Sequence, residues 1–396
     1  MMIAPIGTEI GVSQARGRGE LDTAVRYARA ALYIAVTLGL LYASFLYIFN
    51  EPLVGLFNFR EQNVADDTAL YLRIMAFGIP FTYISSAAGS SFNASGNSKT
   101  PFLINFIGLS MNMILDPIFI FPLGMGVFGA ALASVISQAS VAVIMMAAVK
   151  KSKNRPFESF RIFAGADVHF SVKGVINDLK GGYSSQIFRW TIPICLESTL
   201  FCFLTMIVSR FEVSFGAHVA AVSRVCSQVE SLSWLVGGGF GSAMVTFVGQ
   251  NYGAGKVQRI SDGVRVSLLA MAGWGLMVSS ILAFAGGFVF SLFLPDPGLR
   301  DLGIRYMLIL AVCQIPMNLE AVAGNAFRGL GKTIPPSVSN ISSNIIRVPL
   351  AYVLSLTSLG LYGIWIAISL SACIRGIWIW FWYIIKKPHI HLQNAE

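Results

Sequence analysis

The sequence predicts an all-α polytopic membrane protein made of two parallel-repeat helical bundles, and three observations carry that prediction. Of 396 residues, 55% are apolar and only 12% charged, against roughly a quarter charged in soluble domains. Uncharged stretches such as 30–49 and 127–149 are long enough, at about 1.5 Å per helical residue, to cross a ~30 Å hydrocarbon layer. The chain also repeats itself at a nearly constant spacing. A soluble globular fold is excluded by the first two.

About ten full spans follow from the apolar runs, at 24–49, 68–94, 101–123, 127–149, 187–208, 217–241, 263–294, 304–326, 336–356 and 361–384. Residues 1–13 are apolar apart from Glu9, too short to cross, and lack the basic start of a signal peptide. They read as the cytoplasmic half of an interrupted span. Residues 1–150 thus form an incomplete N-terminal bundle, 151–186 a basic cytoplasmic loop between bundles, 187–385 a six-helix C-terminal bundle, and 386–396 a cytoplasmic tail. With residues 14–29 in the cytoplasm, alternate loops carry the basic excess and the opposite loops are acidic or balanced, Arg210 offsetting Glu212 among them. The difference accounts for the whole net charge of +9, as the bias of cytoplasmic loops toward Lys and Arg requires. No charge is left over to suggest nucleic acid. The C-terminus is cytoplasmic on this reading, in a multi-pass protein of the inner (plasma) membrane.

The repeat runs at a shift of about 235 residues. Gln14, Gly17 and Gly19 match Gln250, Gly253 and Gly255, and Pro80 matches Pro316. Phe92, Gly96, Pro101 and Asn105 match Phe327, Gly331, Pro336 and Asn340, and Gly126 and Gly129 match Gly360 and Gly363. Paired elements fall on one membrane side, so the repeats are parallel. The span beginning near Ile187 has no counterpart in the first half. The expectation is a six-plus-six design lacking one helix and part of the next.

Five cysteines, Cys195, Cys202, Cys226, Cys313 and Cys373, lie in apolar runs without a C-x-x-C pair, so neither a disulfide framework nor a zinc site is indicated and all read as packing residues. The string RGLGKT lacks the first glycine of a phosphate loop, Ala326 standing there. His389 and His391 belong to a polar tail. Tyr83, Phe92, Phe201 and Phe203 read as packing or lipid-facing rings before cleft-lining ones. No catalytic triad or zinc-binding pattern is present, and no enzymatic function is expected.

The segment NMILDPIFIFPLGMGVFGAALASVISQ at 112–138 resembles the multidrug and toxin extrusion (MATE) antiporters. So do SFNASGNSKTP at 91–101, the PxxxE pattern ending at Glu197, VESLS at 229–233, GQNYGAGK at 249–256 and FRGLGKT at 327–333. The resemblance implies twelve helices in two lobes around a V-shaped central cleft, a monomer, and export of amphipathic, often cationic, small molecules in exchange for H⁺ or Na⁺.

Inside the spans remain the acids Glu9, Asp116, Glu197, Glu230 and Glu320 and the arginines Arg73, Arg189, Arg224, Arg347 and Arg375. Each costs at least about 3 kcal/mol in a bilayer and must face the bundle interior, pair, or take up a proton. Arg73 and Arg189 lie near span ends, where they can snorkel. Asp116 lies ~22 Å past Pro101, short of the far interface, with Asn112 one turn earlier on the same helix face. An amide there can steady a carboxylate that alternates between protonated and ionised forms. Pro117 removes a backbone donor beside it. The resemblance places the family's proton site on Asp116 and Asn112, with Ser134 where the family usually has a threonine. The alternative role for Asp116 is a helix-tying hydrogen bond. Glu197, Glu230 and Glu320 lie on three spans and form a candidate substrate or second cation site, with Arg224 or Arg347 as alternative neutralising partners. No cofactor is expected beyond H⁺ or Na⁺ as coupling ion, and the partners are a small-molecule substrate and membrane lipid. Secondary active multidrug efflux by alternating access is the reading; the alternatives are a lipid-linked oligosaccharide flippase of the wider superfamily and a truncated, transport-inactive membrane protein.

Overall fold

The computed structural model describes residues 3–55, 61–151, 181–294 and 296–386. Most of the basic loop at 151–186 and nearly all of the tail at 386–396 lie outside the described residues. Twelve helices make up the rest: α1 (Ile3–Gly17), α2 (Leu21–Gly55), α3 (Gln62–Ala94), α4 (Lys99–Ile120), α5 (Gly126–Lys151), α6 (Tyr183–Val213), α7 (Ala217–Gly253), α8 (Val257–Phe284), α9 (Gly286–Phe293), α10 (Pro297–Gly329), α11 (Ile334–Ser355) and α12 (Leu361–Lys386). The protein is all-helical, as its sequence predicts, and multi-pass. Eight of these helices combine the length and apolarity of a membrane span. Of the ten long ones, α3 and α11 fall short, because α3 beyond Arg73 is rich in serine, glycine and alanine with Thr82, Tyr83 and Pro80 among them, and α11 carries a stripe of serines and asparagines.

The chain divides into two compact units, Met1–Thr191 and Ile192–Glu396. In the first, α3 packs against α1, α2, α4 and α5; in the second, α10 packs against α7, α8, α9, α11 and α12. These central helices are repeat partners, and both carry a proline at midlength, Pro80 and Pro316. A helical proline leaves the carbonyl four residues back without its donor. In α10 that carbonyl belongs to Val312, and the Cys373 thiol of α12 donates to it at 3.9 Å. Gly376 of α12 lies so close to the Pro316 carbonyl that a Cβ would have no room. Such backbone approach is how apolar helices gain dispersion contact where lipid removes the hydrophobic drive.

The repeat is also written in backbone geometry. Gly19 (φ 77°) and Gly255 (φ 68°) take the left-handed conformation that ends a helix. Around them the same bonds recur: Glu20 N–H donates to the Ala15 carbonyl at 3.0 Å, and Lys256 N–H to the Asn251 carbonyl at 2.9 Å. Gly96 (φ 84°) and Gly331 (φ 75°) are a second such pair, with Asn97 and Lys332 N–H donating to the Phe92 and Phe327 carbonyls at 3.0 Å each.

Two local features depart from the sequence reading. The single span expected at 263–294 is two helices, α8 and α9, broken at Ala285 (φ −110°, ψ 1°). Gly286 and Gly287 follow, and Cβ atoms there would meet Met307 at 3.1 Å and Ile304 at 2.9 Å. A glycine pair pressed onto a neighbour is a known place for a helix to break. In α2 a kink falls at Phe49 (φ −103°, ψ 15°), three residues before Pro52, as proline sterics on the preceding turn require. The surface elsewhere is strongly apolar, with Phe284 93% exposed. Lipid, not water, suits such a surface.

Candidate functional site

In the first unit, α4 and α5 form a helical hairpin whose register is fixed by two glycines. Gly108 of α4 is closed over by Val141 of α5, and a Cβ on Gly129 of α5 would lie 2.9 Å from the Phe119 Cβ. Between those contacts the three predicted residues meet. The Asn112 Nδ2 donates to Asp116 Oδ1 at 3.1 Å and approaches Ser134 Oγ at 3.4 Å. All three are half-buried. An amide that donates to both a carboxylate and a hydroxyl holds the acid in one rotamer while leaving its second oxygen available. Gln138, one turn beyond Ser134, was not singled out by the sequence reading. Its side chain packs on Gly78 of α3, and its Oε1 is buried without a hydrogen-bond partner.

In the second unit the three glutamates lie on α6, α7 and α10, each with its own partners. Arg328 Nη2 reaches both oxygens of Glu197, at 3.2 and 3.3 Å, and Ser337 Oγ donates to Glu197 Oε2 at 2.8 Å. Arg375 Nε donates to Glu320 Oε2 at 2.6 Å. Gln314 Nε2 donates to Glu230 Oε1 at 3.2 Å. Glu230 also feels the charges of Arg347 and Arg375, so Arg375 links Glu230 electrostatically to Glu320. Glu197 stands on its own cluster with Arg328.

The neutralising arginines therefore differ from those expected. Arg328, which lies beyond the span expected at 304–326, and Arg375 form the ion pairs. Arg347 donates instead to Ser371 Oγ at 2.7 Å and lies over the Phe201 ring at 6.0 Å. The reason is helical phase: Arg347 belongs to a buried polar stripe of α11 with Ser337, Asn340 and Asn344, on a helix that packs against α12, where Ser371 meets it. The 337, 340, 344, 347 spacing is a helical period in polar residues and was a signal available in the sequence.

Other residues also fall differently from their reading. Glu212, treated as an exposed loop charge beside Arg210, is only 8% exposed. Cys226 and Cys313 are buried, but Cys202 is exposed. Arg73 pairs with Glu51 at 3.1 Å on the surface. Phe92 is core and Phe203 is 61% exposed, in keeping with their reading as packing or lipid-facing rings.

The MatE family profile matches residues 1–118 and 193–353. The probable multidrug resistance protein NorM of Thermotoga maritima is 24% identical over 95% of this chain and 79% of its own length. The probable multidrug resistance protein YoeA of Bacillus subtilis is 25% identical over 97% and 82%. Among solved structures, a Vibrio cholerae MATE transporter aligns with a TM-score of 0.82 at 20% identity, covering 97% of this chain and 84% of that one. A MOP superfamily transporter from Pyrococcus furiosus aligns with a TM-score of 0.85 at 19% identity, over 99% and 84%. These likenesses establish the fold. The family match spans most of the chain and includes the helices bearing Asn112, Asp116, Glu197, Glu230 and Glu320, and the chain belongs to the MatE family.

Proposed function

We propose that the protein is a secondary active multidrug efflux transporter that exchanges an organic, often cationic, compound for H⁺ or Na⁺ by alternating access, with Asp116 as the coupling carboxylate. The observation that carries this reading is the Asn112–Asp116–Ser134 contact. It leaves a carboxylate half-buried in a spanning helix with neutral partners. No arginine or lysine pairs with Asp116 among the described residues. An unneutralised acid at that depth gains by binding a cation or a proton. Substrate and coupling ion then need only compete. If occupancy of Asp116 lowers the affinity for a cationic compound, linkage makes each ligand displace the other.

Glu230, whose hydrogen-bond partner is a neutral amide, is the second-unit acid best suited to contact a cationic compound. Glu197 and Glu320 join that site only if a ligand competes with Arg328 and Arg375 for them. The test is export of a fluorescent cationic dye from cells under imposed pH or Na⁺ gradients. Gradient-driven export that Asp116→Asn removes supports the reading. Export indifferent to collapse of both gradients sinks it.

A further inference from the structure

The second unit holds a fourth carboxylate that the antiport reading does not use. Glu212 lies in the last turn of α6, two residues before the exposed Ser214, and is itself 8% exposed. Its Oε1 accepts from Ser223 Oγ of α7 at 3.1 Å and from Trp365 Nε1 of α12 at 3.0 Å. Trp365 Nε1 also reaches Ser223 Oγ at 3.2 Å, closing a triangle of neutral donors around one carboxylate oxygen. Trp365 is fully buried and stacked on Tyr306 of α10, with ring centroids 4.2 Å apart.

Among the described residues, Glu212 makes no ion pair. Arg210 on its own helix points to the exterior. Arg305 of α10 is occupied over the Tyr362 ring at 5.6 Å. The titratable neighbours are Cys226 of α7 and Tyr306 of α10, both neutral in ordinary conditions. The helices α8 and α9 contribute Leu282 and Phe290 to the apolar cluster around Trp365 and Tyr306, and α11 presents Tyr352 to the neighbouring Phe211. Glu230 of α7 also has Tyr306 as an electrostatic neighbour.

A carboxylate more than nine-tenths buried and held by two neutral donors is poorly placed to stay ionised. It has one free oxygen on which a proton can reside, and the exposed turn after α6 gives water access. We propose that Glu212 is a proton-binding site of the second unit, loading a proton from water at the α6–α7 turn and releasing it there, with Ser223 and Trp365 positioning its carboxyl group. Use of this proton in transport rests on the antiport reading above; the binding itself does not.

The test is infrared spectroscopy of the full chain in lipid nanodiscs across a pH series. The expected result is a carboxylic-acid C=O band that titrates reversibly and is absent in Glu212→Gln, which keeps the acceptor for both donors. Glu230→Gln leaves that band present. Ser223→Ala and Trp365→Phe each retain the acid but lose a donor to its charged form. The proton then binds about fivefold more tightly in each, moving the midpoint to higher pH. A spectrum unchanged by Glu212→Gln overturns the proposal, as does a midpoint that neither donor variant moves, which is the outcome for a carboxylate that merely ties three helices together. A titrating Glu212 band alongside gradient-independent export would sink the antiport reading and leave this one standing.

Discussion

The hairpin α4–α5 and its repeat partner α11–α12 start from the same plan and treat polar residues in opposite ways. In α4 only Pro101, Ile104 and Gly108 are buried, and Asn112 and Asp116 are half-buried with one hydroxyl for company. In α11 Ser337, Ser339, Asn340, Ser343, Asn344 and Arg347 are all buried. The position of Asn112 is taken there by Arg347, and that of Asp116 by Ala351, which is 0% exposed and packs against Val208 of α6. The comparison teaches that one sequence repeat can yield a sealed network, whose acids have fixed partners, and an open one, whose acid is free to exchange its partner. On the proposed function, the first serves integrity and the second coupling.

The largest test of that contrast is Arg375→Ala. It strands Glu320 in a pair whose side chains are 5% and 17% exposed, and breaking a buried pair costs about 3–5 kcal/mol. Thermal unfolding in detergent should register a drop of that size, largely recovered by adding Glu320→Gln. If Arg375→Ala were as stable as the parent, the second unit's network would not be structural. Next is Gly376→Ala, where the new Cβ meets the Pro316 carbonyl of α10. Overpacking of this kind costs about 1–3 kcal/mol, measurable in the same melt.

Asp116→Asn should lower gradient-driven dye export at least about tenfold, some 1.4 kcal/mol in rate terms, with the unfolding transition unmoved. A variant that loses stability and export together would place Asp116 with the structural acids instead. The smallest effect belongs to Ser134→Ala. Its contact with Asn112 is 3.4 Å long, so export should fall only two- to threefold, roughly the value of a weak neutral hydrogen bond. A loss as large as that of Asp116→Asn would make the hydroxyl a direct ligand of the coupling ion.

Much of this was legible before any coordinates. The positive-φ glycines at 19, 96, 255 and 331 stand at sequence positions that match across the repeat, because only glycine takes that conformation without strain. Asn112 and Asp116 were readable as neighbours because i and i+4 share a helix face whatever the tertiary fold. Ser134 depended on the resemblance, since nothing local in α5 points it at α4. The break at Ala285 was hidden by an unbroken apolar run, in which two glycines carry no periodic signal.

By itself the sequence determined the helical class, the repeat, the helix-ending turns and the same-face pair at Asn112 and Asp116. All of these depend on composition and on residues within a few positions of one another. Only the tertiary structure decided which arginine neutralises which glutamate, and that Glu212, two residues from an exposed Arg210, turns inward to Trp365 on a helix some 150 residues away. Charge pairing and burial are settled by which helix faces meet, and that depends on packing contacts far apart in the chain, for which no local pattern of residues is sufficient.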